Sequence, residues 1–171
     1  MHKHLTRRTL GAGIASLVLG DPATGAGLAT PAEKKVLTIT GTITNTNDGN
    51  AADFDRPMLE ALGSDGFKTT TPWYNGEVSF EGVRMDALMR YVGAKGDSVL
   101  VTALNDFSTE IPISDFSRYG VLLALKRDGN YMPVRDKGPL FIVYPYDSSP
   151  ELKTQKYYSR SAWQVAKFIV R

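Results

Sequence analysis

The chain has 171 residues, a formal charge of +2 and 42% hydrophobic side chains, enough for one core-forming domain and too apolar for a disordered chain. It has no cysteine, and its two histidines are His2 and His4, which excludes disulfides, thiolate nucleophiles and sulfur-ligated metals, and, once a leader is removed, Ser-His-Asp, Cys-His and imidazole metal sites as well. No block of like charge is present, so nucleic acid is not an expected partner.

Residues 1–29 read as an export signal. Arg7 and Arg8 supply the positive start, residues 10–19 a short apolar stretch, and the run DPATGAGLATPA small-residue cleavage sites ending at Ala26 or Ala29. Arg7-Arg8 also fits a twin-arginine signal, and an ordinary signal with two arginines stands beside it. The expected single domain spans 33–171.

Residues 36–44 (VLTITGTIT) are β-branched and alternate, which predicts a strand, with Gly41 at a bulge or close approach. Asp55 is placed to cap a short helix that has Pro57 in its first turn and ends at Gly63. Residues 67–73 (FKTTTPW) should be extended, with Asn75-Gly76 as the hairpin turn that follows. Val83, Met85, Leu88, Met89 and Val92 predict a helix over 85–92 with an apolar stripe, stopped by Gly93. Residues 99–104 form a further strand. Asn105-Asp106 breaks it, 107–113 is extended, and 115–119 makes one helical turn.

The stretch 103–146 organises the rest. Its apolar runs 121–125 and 140–143 read as buried strands, with Asp128-Gly129 as a hairpin and residues 136–139 as a second turn. Polar residues collect at the strand ends, and a ligand site is expected there. Residues 147–152 are a Ser/Pro-rich loop, and 157–164 lead into a last strand ending at Val170. Many short strands with few helices predict a mixed α+β domain with a β-rich mixed sheet.

Three side-chain sets could carry function. Trp73, Asn105, Asp106, Arg160, Ser161 and Trp163 supply aromatic faces and a few polar groups, as a flat heteroaromatic ligand needs; two core tryptophans and a plain turn would read the same way. Arg135-Asp136-Lys137-Gly138 is a turn between two cations that could hold an anion or could be a solvated hairpin. Tyr144, Tyr146, Tyr157 and Tyr158 either line a cleft or pack an ordinary β-rich core. No Walker loop, GxGxxG or HExxH occurs, and no catalytic residue is assigned.

Phe80-Glu81-Gly82-Val83 and the Leu88/Met89 helix resemble the F-x-G-V-x-L-x-x-L-L segment of the sulfite-oxidase-type molybdopterin-binding domain. Ala103-Leu104-Asn105-Asp106-Phe107 falls where that family has A-x-D-G-Y, and Leu123-Ala124, Asp128-Gly129 and Gly138-Pro139-Leu140 match its L-A…G…G-P-L run. The resemblance covers about 36–170. Catalytic members ligate molybdenum through a cysteine before the F-x-G-V segment, and here that stretch is Lys68-Thr69-Thr70-Thr71-Pro72-Trp73. Threonine hydroxyls are poor ligands for a soft metal.

The chain is similar to a smaller, cysteine-less branch of small periplasmic pterin-binding proteins. That resemblance implies a periplasmic address, a reduced pterin as ligand without metal, and a membrane-bound signalling partner that controls cyclic-di-GMP. The alternative is an oxidoreductase that holds molybdopterin without the cysteine ligand, and a third reading is an interaction module with no small ligand.

Overall fold

The computed structural model describes residues 27–171, so positions 1–26 of the expected export signal lie outside the described residues. In chain order the elements are β1 (Leu37–Gly41), β2 (Ala52–Phe54), α1 (Arg56–Ala61), β3 (Asp65–Thr71), β4 (Tyr74–Arg84) and α2 (Met85–Tyr91). There follow β5 (Ser98–Ala103), β6 (Ser108–Pro112), α3 (Ile113–Tyr119), β7 (Leu122–Arg127), β8 (Asn130–Tyr131), β9 (Phe141–Val143), α4 (Gln155–Arg160) and β10 (Val165–Val170). Three short 3-10 turns, Val134–Asp136, Tyr146–Ser148 and Pro150–Leu152, fill the connections around β9.

Two sheets result. One has the order β2-β1-β10-β5-β6, with β1 and β10 parallel and the other pairs antiparallel. The other is antiparallel and runs β3-β4-β7, with β8 and β9 sharing the far edge of β7. This is the mixed α+β architecture expected from the sequence. One continuous core joins the sheets, drawing on Leu37 and Ile39, Phe80 and Val83, Val99 and Val101, the whole of 121–125, and Phe168.

The local causes are visible in the residues. In β1 the buried residues are Leu37 and Ile39 and the threonines alternate outward, so one face packs and the other stays polar. Gly41 closes the strand at φ 93°, where a Cβ would stand 2.1 Å from the Val170 carbonyl oxygen, so of the two expectations for this glycine the close approach holds, and the β1–β10 register runs through Gly41↔Val170 without a bulge. Asp55 caps α1 by accepting from the Met58 amide at 2.9 Å. Its other carboxylate oxygen takes the Ala32 and Glu33 amides at 2.8 and 2.9 Å, which ties the incoming chain to the helix. Asp128 and Gly129 both adopt positive φ (49° and 77°), the geometry of a two-residue hairpin turn.

Three expectations need correction. The β3–β4 turn is Pro72-Trp73, not Asn75-Gly76: Thr71 Oγ1 accepts from the amides of Trp73 and Tyr74 at 3.3 and 3.2 Å and holds the chain there. Asn75 and Gly76 sit inside β4 as an irregularity, since Thr71 faces Tyr74 while Thr70 faces Glu77. Residues 113–119 make a seven-residue helix rather than one turn. Of residues 157–164, read as the approach to a strand, 157–160 lie in α4 (Gln155–Arg160).

Candidate functional site

Three connections meet at one place: the β3–β4 turn, the β5–β6 turn, and the segment running from α4 into β10. They enclose a cavity of about 410 Å³, within the usual range of small-molecule sites. The first turn contributes Pro72 and Trp73, and the second Asn105 and Phe107. α4 contributes Gln155, Tyr158 and Ser159, and the following residues Ser161, Ala162 and Trp163.

Each wall has a local cause. Asp106 turns the β5–β6 connection at φ 65°, donating its amide to the Ala103 carbonyl at 3.1 Å, while Asn105 Oδ1 accepts from the Phe107 amide at 3.2 Å. The turn is tied down where the Leu104 amide donates to Gln164 O at 2.8 Å. Trp163 is fixed by an isolated bridge to Phe141 in β9. Its ring carries the Lys137 ammonium 4.5 Å from its centroid. Trp73 stands at the centre of an edge-to-face cluster, with centroids 5.5 Å from Trp163, 5.6 Å from Phe141, 5.9 Å from Tyr158 and 6.1 Å from Tyr146. Such packing holds rings rigidly at little entropic cost.

Among the described residues, no Asp, Glu, Lys or Arg lines the cavity. Its polar groups are amides, hydroxyls and indole N–H groups. Asn105 Nδ2, Tyr158 Oη and the two indole nitrogens have no hydrogen-bond partner among the described residues. A neutral flat ring with donors and acceptors on its edge matches such a lining.

The sequence-derived residues divide clearly. Trp73, Asn105, Ser161 and Trp163 are brought together around the cavity. The Ser161 hydroxyl is buried and occupied, bonded to the Tyr146 hydroxyl and donating to Tyr157 O at 2.9 Å. Asp106 lies off the lining, its positive φ serving the turn. Arg160 is also off it. It reaches Asp115 Oδ2 at 2.6 Å, and the same oxygen accepts from Tyr144 Oη at 2.8 Å. Burial, with that carboxylate as acceptor, pushes the Tyr144 phenol far above its ordinary pKa.

The Arg135–Gly138 set does not form an anion cradle facing the cavity. Asp136 is taken by Arg127 at 2.7 Å and by Tyr74 Oη at 3.3 Å, and Lys137 lies over aromatic rings. Of the tyrosines, Tyr158 lines the cavity, while Tyr144, Tyr146 and Tyr157 are buried behind it. Phe107, Gln155 and Ser159 were missed. Gln155, Tyr158 and Ser159 follow the i, i+3, i+4 spacing of one helix face, a signal readable only once α4 is recognised.

The fold and cavity define a single-domain α+β scaffold with an aromatic, uncharged pocket at the ends of its strands. The chain belongs to the oxidoreductase molybdopterin binding domain family, whose model matches residues 35–148. A comparison with curated proteins found no match. The cavity wall supplied by residues 155–163 lies beyond the matched segment.

The family's metal-bearing cofactor does not fit the residues present. The sequence has no cysteine, and the three threonines before Pro72 are committed elsewhere. Thr69 Oγ1 accepts the Asp147 amide at 3.1 Å, Thr70 Oγ1 donates to Asp147 Oδ1 at 2.7 Å, and Thr71 holds the turn. Among the described residues no cluster of three or more His, Cys, Asp or Glu is disposed to hold a metal ion.

Proposed function

We propose that this chain binds a reduced pterin, or a close heteroaromatic relative, as a ligand rather than as a metal-bearing redox cofactor, and acts as an exported ligand sensor. The observation that carries the reading is the cavity itself: tryptophan, tyrosine and phenylalanine rings with neutral hydrogen-bonding groups and, among the described residues, no charged side chain. A pterin offers a flat ring to the aromatic walls and an edge of amide-like donors and acceptors to Asn105, Gln155 and Tyr158. The expected partner is a membrane-bound signalling protein outside the cytoplasm.

Titration with reduced, dihydro- and fully oxidised pterins, followed by tryptophan fluorescence, tests the reading. Saturable quenching by at least one of them, lost in Trp163→Ala, is the expected result. No saturable response to any pterin, with the protein folded, contradicts it. The family membership favours the alternative of a molybdopterin-dependent oxidoreductase, which predicts molybdenum in the purified protein.

A further inference from the structure

The aromatic rings of the cavity wall do not stop at the cavity. From Trp163 the path runs to Trp73 (5.5 Å between centroids), Tyr146 (6.1 Å), Tyr144 (6.4 Å), Tyr157 (5.4 Å) and Tyr119 (5.3 Å). Every step is within the range of ring contact. Tyr146, Tyr144 and Tyr157 are buried, while Tyr119 reaches the surface. The Tyr146–Tyr144 step joins the cavity rings to the outer ones.

Packing alone would be served as well by phenylalanine, which needs no polar partner. Here the outer phenols sit on carboxylates. Tyr144 Oη donates to Asp115 at 2.8 Å, and Tyr119 and Tyr157 both donate to Glu151, at 2.5 and 2.9 Å. A phenol that loses an electron becomes a strong acid, and a carboxylate at hydrogen-bond distance can take its proton without solvent.

We infer that this row is a one-electron relay carrying oxidation of the cavity tryptophans outward to Tyr119. The initiating step requires a strong one-electron oxidant, which removes one electron from Trp73 or Trp163 and is itself reduced by one. The oxidised indole is refilled by one electron passed inward along Tyr146 and Tyr144 from Tyr157 and Tyr119. The electron is lost finally from the Tyr119 phenol, whose proton moves to the Glu151 carboxylate. The net result is a restored indole, a neutral tyrosyl radical at the surface and a protonated Glu151. A one-electron reductant in solution then returns one electron to Tyr119, and protonated Glu151 gives the proton back to the phenol, which restores both groups. The relay protects the walls of the pocket, and any ligand between them, from lasting oxidation, and it stands whether or not that ligand is a pterin.

The test is flash photolysis of the folded full chain with a ruthenium tris-bipyridyl photo-oxidant and an irreversible electron acceptor, with the tryptophanyl radical followed by transient absorption. Tyr146→Phe keeps the ring, and it leaves the Ser161 hydroxyl its bond to Tyr157 O. Tyr144→Phe leaves Asp115 paired with Arg160. Both should lengthen the tryptophanyl lifetime about tenfold or more, equivalent to about 1.4 kcal/mol of barrier. Tyr131→Phe is the control, since Tyr131 is an exposed tyrosine with its own carboxylate, Glu60, off the path. It should leave the lifetime unchanged. An unaltered lifetime in the two path variants overturns the relay, and so does an equal lengthening in Tyr131→Phe.

Discussion

Arg160→Ala should lower the stability of the fold rather than remove a ligand contact. Arg160 Nη1 lies 2.6 Å from Asp115 Oδ2, with the two side chains 19% and 10% exposed. Breaking a buried pair costs about 3–5 kcal/mol when one charge is left behind. Here the carboxylate keeps the Tyr144 phenol, and both groups retain some water, so the expected loss is about 2–3 kcal/mol. Asp115→Ala should cost a similar amount, because it strands the guanidinium and the buried Tyr144 hydroxyl together. The double variant should be less destabilised than the sum, with a coupling of at least about 1.5 kcal/mol. Urea unfolding of the four proteins, with the slope checked for constancy, gives the cycle. A coupling below about 0.5 kcal/mol, or a ligand affinity that falls tenfold with stability unchanged, would refute the structural role given to Arg160.

Other outcomes follow from named contacts. Trp73→Ala and Trp163→Ala should each weaken pterin binding by about 1–3 kcal/mol, read by calorimetry, since each removes an aromatic wall; Trp73→Ala should also lower the melting temperature, as the ring packs on four others. Gly82→Ala should be among the more damaging single changes, because its Cβ would stand 2.0 Å from the Leu123 carbonyl oxygen in the neighbouring strand; loss of soluble protein or a destabilisation above about 3 kcal/mol is expected in chemical unfolding. Asp147 holds the 147–152 loop to β3 through the Thr70 amide and hydroxyl and pairs with Lys153 at 2.6 Å. The Lys153 ammonium and the Thr70 donors keep its carboxyl well below the ordinary carboxylate range. Its contribution is therefore present above the unfolded carboxylate pKa near 4 and lost as pH falls through the lower folded value. Asp147→Asn should reduce stability at pH 7, with the difference from the native chain shrinking towards pH 2.

Much of the fold was legible because local chemistry and tertiary structure agree. Asp55 with Pro57, the alternation of β1, the Asp128-Gly129 turn and the stripe from Val83 to Val92 each fix an element without help from distant contacts. The hairpin assigned to Asn75-Gly76 failed because Pro72 and the Thr71 side chain make a turn three residues earlier, and a strand can absorb Asn-Gly as an irregularity. α4 was hidden because Tyr157 and Tyr158 favour strands locally, and its packing against other aromatic rings overrides that preference. Within the site, the two tryptophans, Asn105 and Ser161 could be found from residue type and position at strand ends. Arg160 could not be placed correctly, because its partner Asp115 is 45 positions away and nothing in the local sequence pairs them.

A cavity that holds a pterin without a metal can be recognised by what the purified protein carries. The most direct measurement takes the protein from its native compartment, denatures it, and assays one sample for released pterin by fluorescence and mass spectrometry and for molybdenum by elemental analysis. A pterin approaching one per chain, with no stoichiometric molybdenum, is the expected result. Molybdenum near one per chain, carried by a phosphorylated dithiolene pterin, would contradict it and return the protein to redox catalysis.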